Sequence, residues 1–360
     1  MTRERRSFVT EKMKIEMHGE PVVGDYGDVA GESRALTDGA GLMDMSSRHR
    51  VWVQGTDRVT FLQRMLTQDV TGVNLTSSAP AAMCTAQGRI IGLGLLVGYP
   101  EALLFDIPGA MAEALVGALE RYTLLDEVEL VDCSDEMGHF HLEGPRAVEV
   151  LDSVVSGGNA LGSGAYQCVH SFIAEVEVAL VRHSRAGMPG VDLFFHSAGG
   201  EAIRSALVEA GAHLVGHAAY ERVRVESGVP VAGAELTEDV IPVEAGLDHF
   251  VSYTKGCYVG QEVIAKIKYL GDPPRTLCGF RREGIDLQPG EELFAGTRRV
   301  GRVTSVGPEN ALGFVRTRNA AAGTRLTLGD AGGAEVVIEA LSLASGRGHH
   351  RCAMGETPAE

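Results

Sequence analysis

The stretch KGCYVGQEVIAK, Lys255 to Lys266, sets a cysteine between two glycines, two residues after a lysine, and follows it with a carboxamide–carboxylate pair. An ammonium that close favours the thiolate. Val263, Ile264 and Ile267 recur at helical spacing over Gln261–Lys268, with Gly260 as the cap and Glu262 in the first turn, where negative charge suits the helix dipole. A thiol just ahead of a helix N-terminus sees the positive end of that dipole too. Both effects draw a cysteine below its free pKa of ~8.5, so the chemistry expected of Cys257 is that of a reactive or ligand-facing thiolate. Gly256 and Gly260 permit a tight turn or a close backbone approach to a ligand. The same residues also describe an inert cysteine packed at a strand–helix junction. His249, eight residues back, does not define a Cys–His pair.

The elements that must position this stretch come from a chain of 360 residues, long enough for two or three domains. Hydrophobic residues make up 44% and charged residues 22%, the balance of a globular protein with a sizeable core. A net charge of −16 argues against a nucleic-acid groove and against an anionic membrane surface. The six cysteines are scattered and form no CxxC pair, so neither a disulfide framework nor a zinc site is expected. A reducing compartment follows. The N-terminus MTRERRSFVTEKMKIEM has no apolar segment of the secretory kind. The longest apolar run, IIGLGLLVGY (Ile90 to Tyr99), is about half a membrane span and reads as a buried strand. A cytoplasmic protein without membrane or direct nucleic-acid partners is the expectation.

Residues 1–35 read as an irregular arm. RVWVQG (Arg50 to Gly55) alternates as a strand. TDRVTFLQRML follows as a helix capped by Thr56 or Asp57, and AMAEALVGALERY (Ala110 to Tyr122) reads as a second helix. VWVQGTDRVTFL resembles FHLEGPRAVEVL (Phe140 to Leu151), with Gly55 matching Gly144 and Val59 matching Val148. Any strand–glycine–helix unit gives this pattern, and so does internal duplication. FIAEVEVALV and VDLFFH read as two strands of a hairpin joined by RHSRAGMPG, and GEAIRSALVEAG as a short helix. After GDPPR (Gly271 to Arg275) the texture changes to short β-rich runs broken by glycine, which suggests a small barrel or sandwich. GRGHHRCAMGETPAE reads as a tail.

KGCYVGQE, followed by KYLG and an arginine, resembles the K-G-C-[FY]-x-G-Q-E signature of the YgfZ family, folate-binding proteins related to the glycine cleavage T-protein, an aminomethyltransferase. GLMDMSSRHRVWVQGTDRVTFLQRMLTQDV, FHLEGPRAVEVL and RVRVESGVPVAGAELTEDVIPVEAGL (Arg222 to Leu247) resemble the shared blocks before the motif, and VGRVTS resembles the C-terminal barrel. The resemblance spans roughly residues 35 to 342.

It implies an α+β fold: a T-protein-like, interleaved, two-lobed folate-binding region over 36–275, with a nominal boundary near 150, then a C-terminal small β-barrel over 276–345 and a tail over 346–360. It also implies tetrahydrofolate, or a one-carbon derivative, in a central hole near Cys257, and a role in iron–sulfur cluster assembly or repair with client or assembly proteins as partners. Cys257 and Lys255 carry over as the reactive pair, and Gly256, Tyr258, Gly260, Gln261 and Glu262 as the rest of the motif at the folate site. The rival reading is folate-dependent aminomethyl or one-carbon transfer. T-proteins carry an acidic pair in a G-G-I-x-D-D pattern, and here Gly92 and Leu93 occupy those positions, where no side chain moves a proton. In the T-G-E-x-G-x-E turn, Met188 replaces the first Glu and Asp192 the second. Asp192 is the candidate for the pterin edge, whose adjacent N–H donors want a carboxylate. Arg224 is the candidate for the folate's glutamate tail, or else a structural ion pair.

Overall fold

The computed structural model describes residues 14–17, 20–158, 161–282, 284–329, 333–339 and 341; the tail lies outside them. The chain opens with β1 (Lys14–Met17), β2 (Glu20–Val23), α1 (Val29–Asp38) and β3 (Gly41–Asp44). A first unit follows: β4 (His49–Gln54), α2 (Arg58–Met65), β5 (Ala79–Cys84), β6 (Ile90–Gly98), β7 (Leu103–Ile107), α3 (Gly109–Glu120) and β8 (Glu129–Asp132). A second unit repeats that order: β9 (Met137–Glu143), α4 (Ala147–Val154), β10 (Cys168–Ile173), β11 (Val176–Arg182), β12 (Gly190–His196), α5 (Gly200–Glu209) and β13 (His213–Leu214). Then come α6 (His217–Glu226) and α7 (Gln261–Leu270), and six more strands: β14 (Arg275–Arg281), β15 (Glu292–Ala295), β16 (Arg298–Val306), β17 (Asn310–Arg316), β18 (Arg325–Leu328) and β19 (Glu335–Glu339).

The first unit forms a sheet in the order β5-β6-β7-β4-β8, and the second a sheet in the order β10-β11-β12-β9-β3-β13. The orders β5-β6-β7-β4 and β10-β11-β12-β9 match, strand for strand and antiparallel throughout. This decides the repeat seen in the sequence in favour of two like units. Gly55 and Gly144 do the same job in each: both turn a strand into a helix at positive φ, 101° and 135°. A Cβ on Gly55 would lie 1.9 Å from the carbonyl oxygen of Glu127, and one on Gly144 2.4 Å from that of Gly39, so no other residue fits either turn. Because β3 joins the second unit's sheet while the chain then leaves to build the first, the two units interleave.

Each sheet covers its outer face with its own helices. Leu115 and Phe61 belong to one core, Leu151 and Ile203 to the other. The two sheets meet through a third core of Leu95, Val97 and Leu104 from one and Ala179, Val181 and Phe194 from the other. β6 is therefore buried on both faces, which is why its sequence is a nearly unbroken apolar run. β14 to β19 close into a barrel with a core of its own, including Phe280, Val303 and Ile338.

Two expectations need correction. Within its described part, the arm over 1–35 is not irregular: β1 and β2 pair as a hairpin and α1 begins at Val29. The polar–apolar alternation of Lys14 to Met17 is the signal for it. FIAEVEVALV is not one strand. Ala174 (φ 48°) and Glu175 (φ 66°) turn the chain between β10 and β11. The turn uses left-handed backbone at two residues that are neither Gly nor Asn, so composition gives no warning of it.

Candidate functional site

A cavity of about 200 Å³ lies where the two units, α6 and the β1–β2 hairpin meet. Leu93 of β6 lines it, and so do Met43 and Asp44 at the end of β3, Arg48, the turn His183–Arg185, His217 and Glu221 of α6, and His249 and Phe250. Val22, Val23 and Tyr26 close it on the side of the hairpin. The two positions that an acidic pair would occupy point opposite ways. A Cβ on Gly92 would lie 2.6 Å from that of Leu115 in α3, whereas Leu93 reaches the cavity. The cavity wall there is hydrocarbon.

Behind the cavity, a chain of buried charges joins the two sheets. Asp106 of β7 accepts from Arg48 Nε at 2.9 Å and from Arg185 Nη2 at 2.9 Å. Asp192 of β12 faces His139 Nε2 at 3.0 Å and His141 Nδ1 at 2.7 Å, and accepts from Arg185 Nε at 2.7 Å and Nη2 at 2.9 Å. His141 Nε2 lies 2.6 Å from Glu143, whose carboxylate also takes the backbone N–H groups of Arg185, Ala186 and Met188. Burial works against charge on both aspartates. Arg48, His139 and Arg185 outweigh it at Asp106, as Arg185, His141 and His139 do at Asp192, and both carboxyls are held well below their ordinary range. Asp192 is thus fully buried, occupied by side chains of the protein, and not part of the cavity wall.

Arg224 is equally enclosed. Its five N–H donors go to Glu221, Glu235, Ser305 and the carbonyl of Val229, at 2.6 to 3.1 Å. It ties α6 to barrel strand β16. Its ion-pair partners are Glu221 and Glu235. Burial opposes the charge on Glu221, but hydrogen bonds from His217 and Arg224 hold its carboxyl at about 2.

The motif forms one loop, Lys255 to Gly260, ahead of α7. The Lys255 ammonium donates to the carbonyls of Leu66 and Gln68, each at 2.7 Å, and stands over the buried Tyr258 ring at 5.3 Å. Burial pushes its pKa down to about 8. Gly260 occupies the N-cap at φ 86°, where a Cβ would come within 2.5 Å of the Thr85 carbonyl oxygen. Gln261 and Glu262 begin the helix, with Glu262 on the outside. Cys257 is exposed to solvent. None of Lys255 to Glu262 lines the cavity. The link between them is the strip Leu66–Gln68. Lys255 grips its carbonyls, while Thr67 Oγ1 and Gln68 Nε2 donate to the carbonyls of Phe250 and His249, the residues at the cavity edge.

Sequence reasoning missed His139, His141 and Glu143, although HFHLE alternates polar and apolar with period two, the signature of one polar strand face. It missed Arg185 and Asp44 as well, and neither stands in a pattern that marks it.

A family profile described as the GCVT N-terminal domain matches residues 23–255. An aminomethyltransferase of Rubrobacter xylanophilus is 30% identical over 282 residues, 78% of this chain and 75% of its own. One from Caldanaerobacter subterraneus subsp. tengcongensis is 28% identical over 297 residues, 81% and 79% of the two chains. A putative chloroplastic transferase of Arabidopsis thaliana is 25% identical over 303 residues, 82% and 70%. Among solved structures, aminomethyltransferase T of the Bartonella henselae glycine cleavage system matches with a TM-score of 0.80 at 21% identity, covering 91% of this chain and 93% of its own. The fold is that of the T-protein, as expected. No helix among the described residues is long and apolar enough to cross a membrane.

Proposed function

Since this chain belongs to the GCVT N-terminal domain family, in company with aminomethyltransferases, we propose that it binds tetrahydrofolate or a one-carbon derivative in the cavity between its two units. The observation that carries this reading is the cavity itself. It combines an apolar wall at Leu93, Leu247 and Phe250 with polar groups at Asp44, Tyr26 and His217, as a flat, partly polar heteroaromatic molecule requires. The residues present fit such a molecule in kind.

The relatives favour one-carbon transfer, of aminomethyl or another group, as the reaction. In this reading the cavity binds and orients the folate. The hydrocarbon of Leu93 means that any proton moved at that wall comes from the substrate or from water, because the side chain there holds none.

A second reading is favoured by one observation, the exposed Cys257 on a loop whose shape only glycine at 260 permits. In that reading the folate-loaded protein serves iron–sulfur cluster assembly or repair, with Cys257 and Lys255 meeting a client or assembly protein, in the compartment of a cytoplasmic protein.

Calorimetry with tetrahydrofolate tests the shared premise, and saturable binding is the expected result. The absence of binding by the intact protein overturns both readings. An aminomethylated carrier then separates them. Folate-dependent turnover supports the transferase. If the carrier is inert, and deleting the gene lowers an iron–sulfur enzyme's activity that wild type but not Cys257→Ala restores, the second reading stands.

A further inference from the structure

The geometry points to Asp44 as the acceptor for the donor edge of the ligand's pterin, the adjacent ring N–H and amino N–H that behave like half a guanidinium. This rests on the folate reading above and goes beyond it by assigning the residue that reads the ring.

Asp44 and Glu221 are the acids among the described residues that line the cavity. Glu221 already holds a guanidinium fork to fork: Oε1 accepts from Arg224 Nε at 2.9 Å, and Oε2 from Nη2 at 2.6 Å. A carboxylate so occupied has little left for a second planar pair of donors. Asp192, the acid that the T-protein motif nominates, lies outside the wall and carries the four contacts made by His139, His141 and Arg185. Asp44 differs from both. Its Oδ1 accepts one backbone bond, from Ser46 N at 2.9 Å, and that short turn fixes the carboxylate in place. A carboxylate offers about four acceptor positions, so room remains on both oxygens.

Its surroundings suit a ring. Met43 and Met45 flank it in sequence and line the cavity, as do Val22, Val23 and Tyr26 from the hairpin side. The phenol of Tyr26 is pushed up to about 12, first by burial and then by the charge of Asp44, so the aromatic ring and the carboxylate are neighbours. The cavity's two arginines, Arg48 and Arg185, are both committed to Asp106. A ligand carrying paired N–H donors next to an apolar face is what this corner recognises.

Asp44→Asn is the decisive variant. The amide oxygen still accepts from Ser46 N, so the turn survives, which an unchanged melting temperature checks. Calorimetry compares wild type and D44N with tetrahydrofolate and with its 2-desamino analogue. A carboxylate bond to paired donors predicts a loss of about tenfold or more for tetrahydrofolate in D44N, and a clearly smaller loss for the analogue, which keeps only the ring N–H. Tetrahydrofolate binding in D44N equal to wild type overturns the assignment while leaving the folate reading intact. An equal loss for both ligands also overturns it, because the effect is then not on the amino edge. No binding by wild type removes the folate reading and this assignment with it.

Discussion

Asp106 and Asp192 belong to different sheets and share one guanidinium: Arg185 reaches the first at 2.9 Å through Nη2 and the second at 2.7 Å through Nε. His139 repeats the bridge, with Nδ1 at 3.3 Å from Asp106 and Nε2 at 3.0 Å from Asp192. The two units are therefore joined by charge as well as by the apolar contacts of Leu104 and Phe194. Removing one partner from a buried network leaves others uncompensated, at a cost of about 3–5 kcal/mol. Arg185→Met is expected to lower stability by that order in urea unfolding. A loss below about 1 kcal/mol would mean that water or rearrangement replaces the arginine at little cost.

The same network sets a pH profile. Burial and the charge of Arg185 push the His183 imidazole well below its ordinary range. Below about pH 6.5 the unfolded chain binds that proton and the folded chain does not, so this stability is lost as pH falls. His141 runs the other way. Burial opposes its charge, but Asp192 and Glu143 raise its pKa, so its stability is full below about pH 6.5 and is lost as pH rises through the folded value. Asp106 and Asp192, held well below the carboxylate range, join the acid loss only at much lower pH. The melting temperature should peak near pH 6.5, and His183→Phe should flatten the acid limb alone. An acid limb that persists unchanged in H183F would refute the assignment.

The motif's two glycines should behave differently. Gly260 sits at φ 86° against the Thr85 carbonyl, whereas a Cβ on Gly256 meets nothing within 4 Å. Gly260→Ala should cost at least about 1–2 kcal/mol from left-handed backbone alone, and Gly256→Ala should stay within about 0.5 kcal/mol. Thermal denaturation of the pair checks this. If G256A keeps its stability but loses function, what the position requires is open space for an incoming molecule.

Leu93→Asp would place a carboxylate on the cavity wall. If the absent acid is what limits aminomethyl transfer, this variant gains turnover over wild type in the carrier assay, at a cost in stability from an unpaired buried charge. Turnover that stays at the wild-type level would show that the limit lies elsewhere in the site.

Much of this architecture could be read from residue patterns, and the failures have local causes. β6 was visible because burial on both faces demands an unbroken apolar run, and α7 because Val263, Ile264 and Ile267 repeat at helical spacing. Gly55 and Gly144 marked the two units, because a close approach at positive φ leaves glycine no substitute. The turn at Ala174–Glu175 was invisible because it uses residues without turn preference. Lys255, Cys257 and Tyr258 were legible as one group, being contiguous in the chain. The partners of Asp192 were not: His139 and His141 reach it from β9, a pairing that no short window contains, and Arg185, seven residues before it, stands in no periodic pattern. Asp44 went unnoticed because its value lies in what does not touch it.

The matching strand orders of the two units carry a consequence for the cavity between them. A single unit has a sheet with helices on one face and an apolar surface on the other, and each unit hides that surface against its fellow. The backbones repeat but the side chains do not: one wall offers the hydrocarbon of Leu93, the other the His183–Arg185 turn. A pocket with unlike walls distinguishes the two ends of whatever it holds.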